Sequence, residues 1–500
     1  MPNKYRWLIG SLCLLYVAVR LWRLTDACLW FDEIFGIHAA EQTWGGMLRF
    51  VAQDLIHPPL FYALLKVWIW VGGESLLWLR LFPVFFSVIA LVPFLNLCRE
   101  LKLSTSTIAL ALAFIAFNGA LIKYAQEVRM YSLLFCLSLF SIWLFARFLF
   151  RGKNIWILTL VNILLVHTHY FGWLVVISEV IVIAVLQRIK IRHVLIMMGI
   201  TAVAFVPWLV AVVRAAGAGS EVSQNIGWIK PPGFRSLIEL AGDLIEPFYF
   251  QVSSLDPTAV GWVTWPMLLL IVAAAIVWLA NWKRGEHKDR FWLLGVFVLV
   301  PLIVAFIASW VSPYSVWGAR HLIILFAPAA ILFAIFLAEI PLVHVRLAML
   351  AAAVLLITGA GFRYALTPPQ EQIWCAWEKF GSSIPKQVPQ TLYAFEDLSA
   401  YHLWFATRRN GNVNVVKVEG MAGMAEDRAY FLPRGFNGVT RVEAISVAGD
   451  RFWVAFRDMR WDERHPPLRQ LVEQGYRIGT PTVFETGGMK AFIVEVRKPD

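Results

Sequence analysis

Long, nearly unbroken runs of apolar residues, divided by short polar clusters, fill most of the first 362 positions. A helix of about 20 such residues crosses the ~30 Å hydrocarbon core of a bilayer. Eleven runs qualify as spans: 7–24, 77–98, 105–122, 131–149, 154–169, 171–189, 193–213, 260–281, 291–310, 320–338 and 345–362. The first reads as a retained span, because ten more follow it and a lone signal peptide would not be so accompanied. Pro59 to Val71, bounded by His57-Pro58-Pro59 and Gly72-Gly73, is too short to span and reads as re-entrant or interfacial. In the stretch before it, Ile34, Ile37, Met47, Leu48, Val51 and Leu55 are spaced as in helices lying along the membrane surface.

Basic residues between the runs set an orientation. Lys4/Arg6, Arg99/Lys102, Arg147/Arg151/Lys153, Arg188/Lys190/Arg192 and Lys283/Arg284/Lys288/Arg290 share one side if Pro59 to Val71 does not cross, and that side is cytoplasmic. Arg20 and Arg23, at the outer end of the first span, run against this rule and are read as snorkelling to the interface, as is Lys66. The scheme gives a transmembrane domain over 1–362, with outer loops at 26–58 and 214–259, and an extracytoplasmic domain over 363–500. In the latter, β-leaning runs (Thr391 to Phe395, Val413 to Val418, Phe452 to Phe456, Ala491 to Val496) alternate with helix-compatible segments (Glu371 to Phe380, Leu468 to Gln474), which predicts a small α/β fold. The fold class is therefore a polytopic α-helical membrane protein with a small terminal α/β domain.

Composition narrows the function. Of 500 residues, 59% are hydrophobic and only 15% charged, and mean hydropathy is +0.66, which excludes a soluble globule. A net charge of +11 suggests nucleic acid in a soluble chain, but here the excess lies in the orienting loops, so nucleic acid is excluded as a partner. Five cysteines show no CxxC pair and no metal-ligand spacing. No Gly-rich phosphate cradle is present, and no metal or other cofactor is indicated.

Ionisable residues collect at the outer ends of spans, where charge near hydrocarbon calls for a partner or a function. Asp32, Glu33, His38 and His57 lie in the first outer loop, and Arg80 at the start of the second full span. Gln126, Glu127 and Arg129 follow the third, His167, His169 and Tyr170 the fifth, and Arg320-His321 opens the tenth. Each has a plainer reading: solvated loop charge for Asp32-Glu33, structural hydrogen bonding for the histidines, snorkelling for Arg80 and Arg320. His-x-His alone is a weak metal signal.

Ordered motifs favour function. Leu29-Trp30-Phe31-Asp32-Glu33, His57-Pro58-Pro59-Leu60-Phe61-Tyr62, Arg80-Leu81-Phe82-Pro83, Tyr124-Ala125-Gln126-Glu127-Val128-Arg129-Met130-Tyr131 and Thr168-His169-Tyr170 together resemble the GT-C membrane glycosyltransferases. Within them the chain is most similar to family 39, the bacterial relatives of the protein O-mannosyltransferases, and the aminoarabinose-transferase-like group, over roughly residues 1–340. The chain departs from the pattern at Arg320-His321, where relatives often carry Arg-Tyr, and after Arg80, where Leu-Pro-Ser is commoner. The resemblance implies a bacterial cell-envelope enzyme of the cytoplasmic (inner) membrane. It would move a sugar from a polyprenyl-phosphate donor to an acceptor hydroxyl of a protein, lipid or glycan, with inversion at the anomeric carbon. It also implies Asp32 as general base with Glu33 beside it, and His57, Arg80, Gln126, Glu127, Arg129, Tyr131, His169, Tyr170 and Arg320 around the substrates.

The chemistry fits independently. Nucleotide sugars are not supplied outside the cytoplasmic membrane, so an outer transferase needs a lipid-linked donor. A carboxylate takes the acceptor's proton, and arginines meet the departing phosphate. A lipid-linked polysaccharide polymerase or ligase remains a second enzymatic reading, and a flippase, transporter or assembly subunit a non-enzymatic one. Carriers, however, usually show inverted repeats and ionisable or broken-helix elements near the bilayer midplane, and neither is visible in this sequence.

Overall fold

A computed structural model describes residues 3–220, 222–248, 261–281, 288–368, 372–384, 389–419, 436–443, 449–458, 460–462, 466–486 and 489–499. Two compact units divide the chain. One holds Met1–Leu24, Ala39–Phe250 and Ala259–Pro368; the other holds Thr25–His38, Gln251–Thr258 and Pro369–Asp500. Lys283 and Arg284 of the last basic cluster, the end of the 214–259 loop and the start of the predicted 371–380 helix lie outside the described residues.

In chain order the helices are α1 (Asn3–Leu21), α2 (Phe31–Glu41), α3 (Trp44–Asp54), α4 (Leu60–Gly72), α5 (Leu76–Ile89), α6 (Leu91–Glu100), α7 (Thr105–Phe117), α8 (Gly119–Gln126) and α9 (Tyr131–Arg151). There follow α10 (Ile155–Thr168), α11 (Gly172–Leu186), α12 (Ile191–Gly217), α13 (Ser223–Ile226), α14 (Phe234–Ile245), α15 (Gly261–Ala280), α16 (Lys288–Val311), α17 (Phe326–Ala338) and α18 (Val343–Leu366). All eleven apolar runs are helical. Among the described residues, seven stretches are long and apolar enough to cross a membrane: α5 with α6, α9, α12, α15, α16, α17 with the 3-10 turn before it, and α18. The apolar helices α4, α7, α10 and α11 are shorter.

The run 105–122 is broken at Asn118, whose side chain accepts from Leu121 N–H at 2.9 Å and so caps α8. Its Nδ2 donates to the Asp243 carbonyl at 2.8 Å, and Gly119 N–H donates to the Glu246 carbonyl, so the break fastens the segment that carries α14. A helix end with an outside partner replaces a continuous span.

Two basic residues read as snorkelling are instead engaged with backbone. Arg20 is fully buried. Its guanidinium donates to the carbonyls of Ile115 (2.9 Å) and Ala116 (2.8 Å) in the last turn of α7, and to Ser87 Oγ (3.0 Å), with the Tyr16 ring 3.3 Å away. A cation at a helix carboxyl end satisfies orphan carbonyls and the helix dipole together. Lys66 donates to the Ala40 and Gln42 carbonyls, capping the end of α2. Arg20→Met strips several charge-assisted bonds, each about 1.5–3 kcal/mol, from buried carbonyls. We expect the variant to lose at least about 3 kcal/mol in reversible unfolding by denaturing detergent; an unchanged midpoint would mean that the carbonyls find water instead.

Glu179, in the middle of α11, corrects the reading that no ionisable element lies midway along a span. It is fully buried and accepts from Ser141 Oγ (2.7 Å) on α9 and Asn162 Nδ2 (2.8 Å) on α10. Both carboxyl oxygens are thus partnered, and the group knits three helices together.

The second unit is an α/β domain with α19 (Cys375–Ser383), α20 (Asp397–Thr407) and α21 (Pro466–Glu473). Its strands are β1 (Gln390–Ala394), β2 (Val413–Glu419), β3 (Thr440–Glu443), β4 (Arg451–Asp458), β5 (Arg477–Ile478), β6 (Thr482–Thr486) and β7 (Met489–Arg497), ordered β3-β2-β1-β4-β7-β5, with β6 also on β7. β1 to β4 pair in parallel, and β7 runs antiparallel to β4, β5 and β6. The four runs expected as strands are β1, β2, β4 and β7. Period-2 alternation sends Phe452, Val454 and Phe456 of β4 to the same core as Phe492, Val494 and Val496 of β7 and Leu468 and Leu471 of α21. The segment 25–38 belongs to this unit, tied by a Cys28–Cys375 disulfide across 347 residues of sequence.

Candidate functional site

Within the membrane unit, the turns after α3, α8 and α10 and the turn before α17 bring one polar cluster together. α3 ends at Asp54, and Leu55 takes the left-handed conformation (φ 62°), which turns the chain into His57-Pro58-Pro59. Asp54 Oδ2 lies 2.5 Å from His57 Nδ1, and Arg129 Nη2 lies 3.2 Å from His57 Nε2. A guanidinium only donates, so His57 Nε2 accepts and the ring proton sits on Nδ1, held by the Asp54 carboxylate. Asp54, His57 and Arg129 therefore form a chain in which each member fixes the next. Both His57 and Arg129 are buried.

His169, which ends α10, brings a second imidazole with its ring centre 6.1 Å from that of His57 and 5.1 Å from that of His321. Its Nδ1 accepts from Phe171 N–H at 3.1 Å. Tyr131 completes the cluster, fully buried, with its ring 4.9 Å from Tyr124 and 6.4 Å from His321. Among the described residues its hydroxyl has no hydrogen-bond partner, which leaves a donor for a bound group.

Other sequence candidates hold the scaffold around this cluster. Arg80 donates to the Gln126 carbonyl at the end of α8. Gln126 Nε2 donates to the Arg20 and Trp22 carbonyls at 3.0 and 2.8 Å, securing the end of α1. Tyr170 donates to the Leu55 carbonyl at 3.1 Å and so props the turn that presents His57. Glu127 lies 3.9 Å from Lys123, one turn earlier on α8. Asp54 was absent from the sequence candidates, although the Asp-x-x-His spacing is a local signal for it. Next to the cluster in sequence, Pro59 and His167 help line an apolar cavity of about 430 Å³ with Met47, Leu60, Leu164 and Ala204.

Asp32 and Glu33 lie in the other unit, in the first turn of α2. Glu33 is fully buried and accepts from Trp30 N–H at 3.1 Å, the reach-back of a third helical residue to the capping position. It locks the turn, while Asp32 beside it is only partly buried. No group of three His, Cys, Asp or Glu among the described residues is arranged to hold a metal.

No protein-family model and no curated protein matches the chain. Solved structures do. ArnT from Cupriavidus metallidurans bound to undecaprenyl phosphate aligns with a TM-score of 0.55 at 13% identity, over 99% of this chain and 98% of that one. The same protein in the apo state gives 0.46 at 12% identity, over 97% of each chain. The Archaeoglobus fulgidus oligosaccharyltransferase in complex with Zn and sulfate gives 0.45 at 13%, over 80% of this chain and 61% of that one. End-to-end coverage of both chains, the terminal sheet domain included, shows that this chain shares the fold of that ArnT structure.

Proposed function

We propose that this protein transfers a sugar from a polyprenyl-phosphate donor to an acceptor hydroxyl at the outer face of the cytoplasmic membrane. The observation that carries the proposal is the buried Arg129, held by His57 and Asp54, with the His169 ring centre 6.1 Å from that of His57. Guanidiniums at the ends of apolar helices, Arg129 and Arg320, suit an anion at head-group depth, and a lipid phosphate is such an anion. ArnT, whose fold this chain shares, binds undecaprenyl phosphate. The apolar cavity between α3, α4, α10 and α12 suits the first isoprenoid units of such a lipid. In this reading Asp32 takes the acceptor proton, and the attack proceeds in one displacement with inversion. The test is purified protein in nanodiscs with a panel of polyprenyl-phosphate monosaccharides, set against polyprenyl-diphosphate glycans. Turnover of a monosaccharide donor supports the proposal, and turnover confined to the diphosphate glycans would replace it with the polymerase or ligase reading.

The amino terminus is cytoplasmic and the sheet domain extracytoplasmic in this proposal. The Cys28–Cys375 disulfide supports it, because such bonds persist in oxidising compartments. A phosphatase fused after residue 500 is expected to be active and a cytoplasmic reporter there silent; the reverse pair of results would overturn the orientation.

A further inference from the structure

We propose that the terminal sheet domain holds the acidic first outer loop in place, through the Cys28–Cys375 disulfide and the docking of α2 onto α20, and that Asp32 is positioned by this clamp. The inference rests on reading Asp32 as the base. α2 has 11 residues, too few to stay helical in water alone. Its order must come from what it packs against, and three fastenings surround Asp32. Cys28, four residues before it, is bonded to Cys375 at the start of α19. Phe31, immediately before it, meets the Tyr401 ring edge-on at 5.4 Å and the His402 ring at 6.5 Å. Glu33, immediately after it, locks the helix start through Trp30.

At the far end of this segment His38 enters an aromatic cage. Its ring centre is 4.8 Å from Trp404, 5.2 Å from Phe436 and 5.9 Å from Tyr401, and its Nδ1 is 2.8 Å from the Tyr401 hydroxyl. The sequence of α20 carries the mark of this docking. Asp397, Ser399, His402 and Thr407 are buried as fully as Leu398, Tyr401 and Leu403, so no side of the helix is left as a solvated face. A helix buried all round needs cover on both sides. The sheet, through β1 and β2, covers one side, and α19 packs against the helix as well. Phe31 and His38 supply rings from α2. Cys28, Phe31, His38 and Tyr401 are thus positioning residues, and the domain for which the sequence suggested no role acquires one.

The experiment uses the full chain in nanodiscs and reads hydrogen exchange of peptides covering 29–41, with α9 peptides as internal control. A small dithiol reduces the bond by thiolate attack on one sulfur and release of the other. Two electrons pass to the cystine, two protons complete the thiols, and the dithiol closes to its own disulfide. Reduction, Cys28→Ser, Cys375→Ser and the double variant are each expected to raise exchange in 29–41 by at least about 10-fold while α9 is unchanged. The single and double variants should agree, and reductant should add nothing to the double variant. Turnover should fall by about 10- to 100-fold, the range expected when a catalytic group is misplaced by about 1 Å. Affinity for undecaprenyl phosphate should stay within about 2-fold, since no phosphate ligand is assigned to this loop. Tyr401→Phe, which removes the hydroxyl and keeps the ring, should give a smaller change of the same kind. Unchanged exchange in a reduced, folded protein overturns the clamp, and so does wild-type turnover by the double variant when Asp32→Asn is inactive. A loosened loop together with a fully active Asp32→Asn protein would remove the base and leave the clamp standing.

Discussion

Replacing Asp32 by Asn is expected to lower transfer by at least about 100-fold, the lower range for a lost general base, while undecaprenyl-phosphate affinity changes little. Asn keeps the size of Asp and its preference for a helix start, so α2 retains its first turn, but the amide does not take up the acceptor's proton. Glu33 is a poor substitute in this geometry. Its carboxylate is fully buried and occupied by Trp30 N–H, whereas Asp32 keeps part of its surface open. Glu33→Gln should therefore behave differently, retaining the reach-back acceptor and most of the turnover. The measurement is single-turnover transfer with a donor that the wild-type protein uses. Wild-type rates from folded Asp32→Asn would move the base to Glu127 or to no side chain at all, and a collapse of Glu33→Gln alone would exchange the two roles.

The membrane helices were legible because each writes itself locally: a run of apolar residues long enough to cross has few other solutions. What overrode the local pattern was partnership at a distance. Asn118 breaks an apolar run only because Asp243 and Glu246 offer partners to its side chain and its neighbour. Arg20 can be buried in a span because α7 ends beside it with unsatisfied carbonyls. Among the strands, β1, β2, β4 and β7 carry alternating apolar residues and were readable. β3 (Thr-Arg-Val-Glu) and the two-residue β5 lie at the edges of the sheet and have almost no pattern to read.

The site was half legible for the same reason. Charges at span ends announce themselves, so His57, Arg129, His169 and Arg320 were all nominated, and the first three lie close together in the structure. Their division of labour was not visible. Arg80, Gln126 and Tyr170 spend identified hydrogen bonds on the backbone of α8, α1 and the α3 turn, information held only in three dimensions. The Cys28–Cys375 pairing was equally hidden, because a separation of 347 residues carries no spacing signal.

Arg129→Lys and Arg320→Lys are each expected to weaken undecaprenyl-phosphate binding by about 1.5–3 kcal/mol, the value of a charge-assisted hydrogen bond, or roughly 10- to 150-fold in Kd. The two substitutions keep the charge and remove the planar pair of donors, so they test geometry rather than net electrostatics. At Arg129 the loss has a second component. One guanidinium nitrogen is already directed at His57 Nε2, and an ammonium placed to keep that contact has no second, fixed nitrogen to offer a phosphate. His57→Gln separates the components. An amide that still accepts from Arg129 should cost less affinity than Arg129→Lys, because the whole guanidinium is kept. Binding is measured directly, by titrating the lipid into nanodisc-held protein, since turnover would mix donor affinity with chemistry. If both lysine variants bind as tightly as wild type while remaining folded, the phosphate rests elsewhere. Arg80 is then the next residue to examine, although its contact with the Gln126 carbonyl already commits part of its guanidinium.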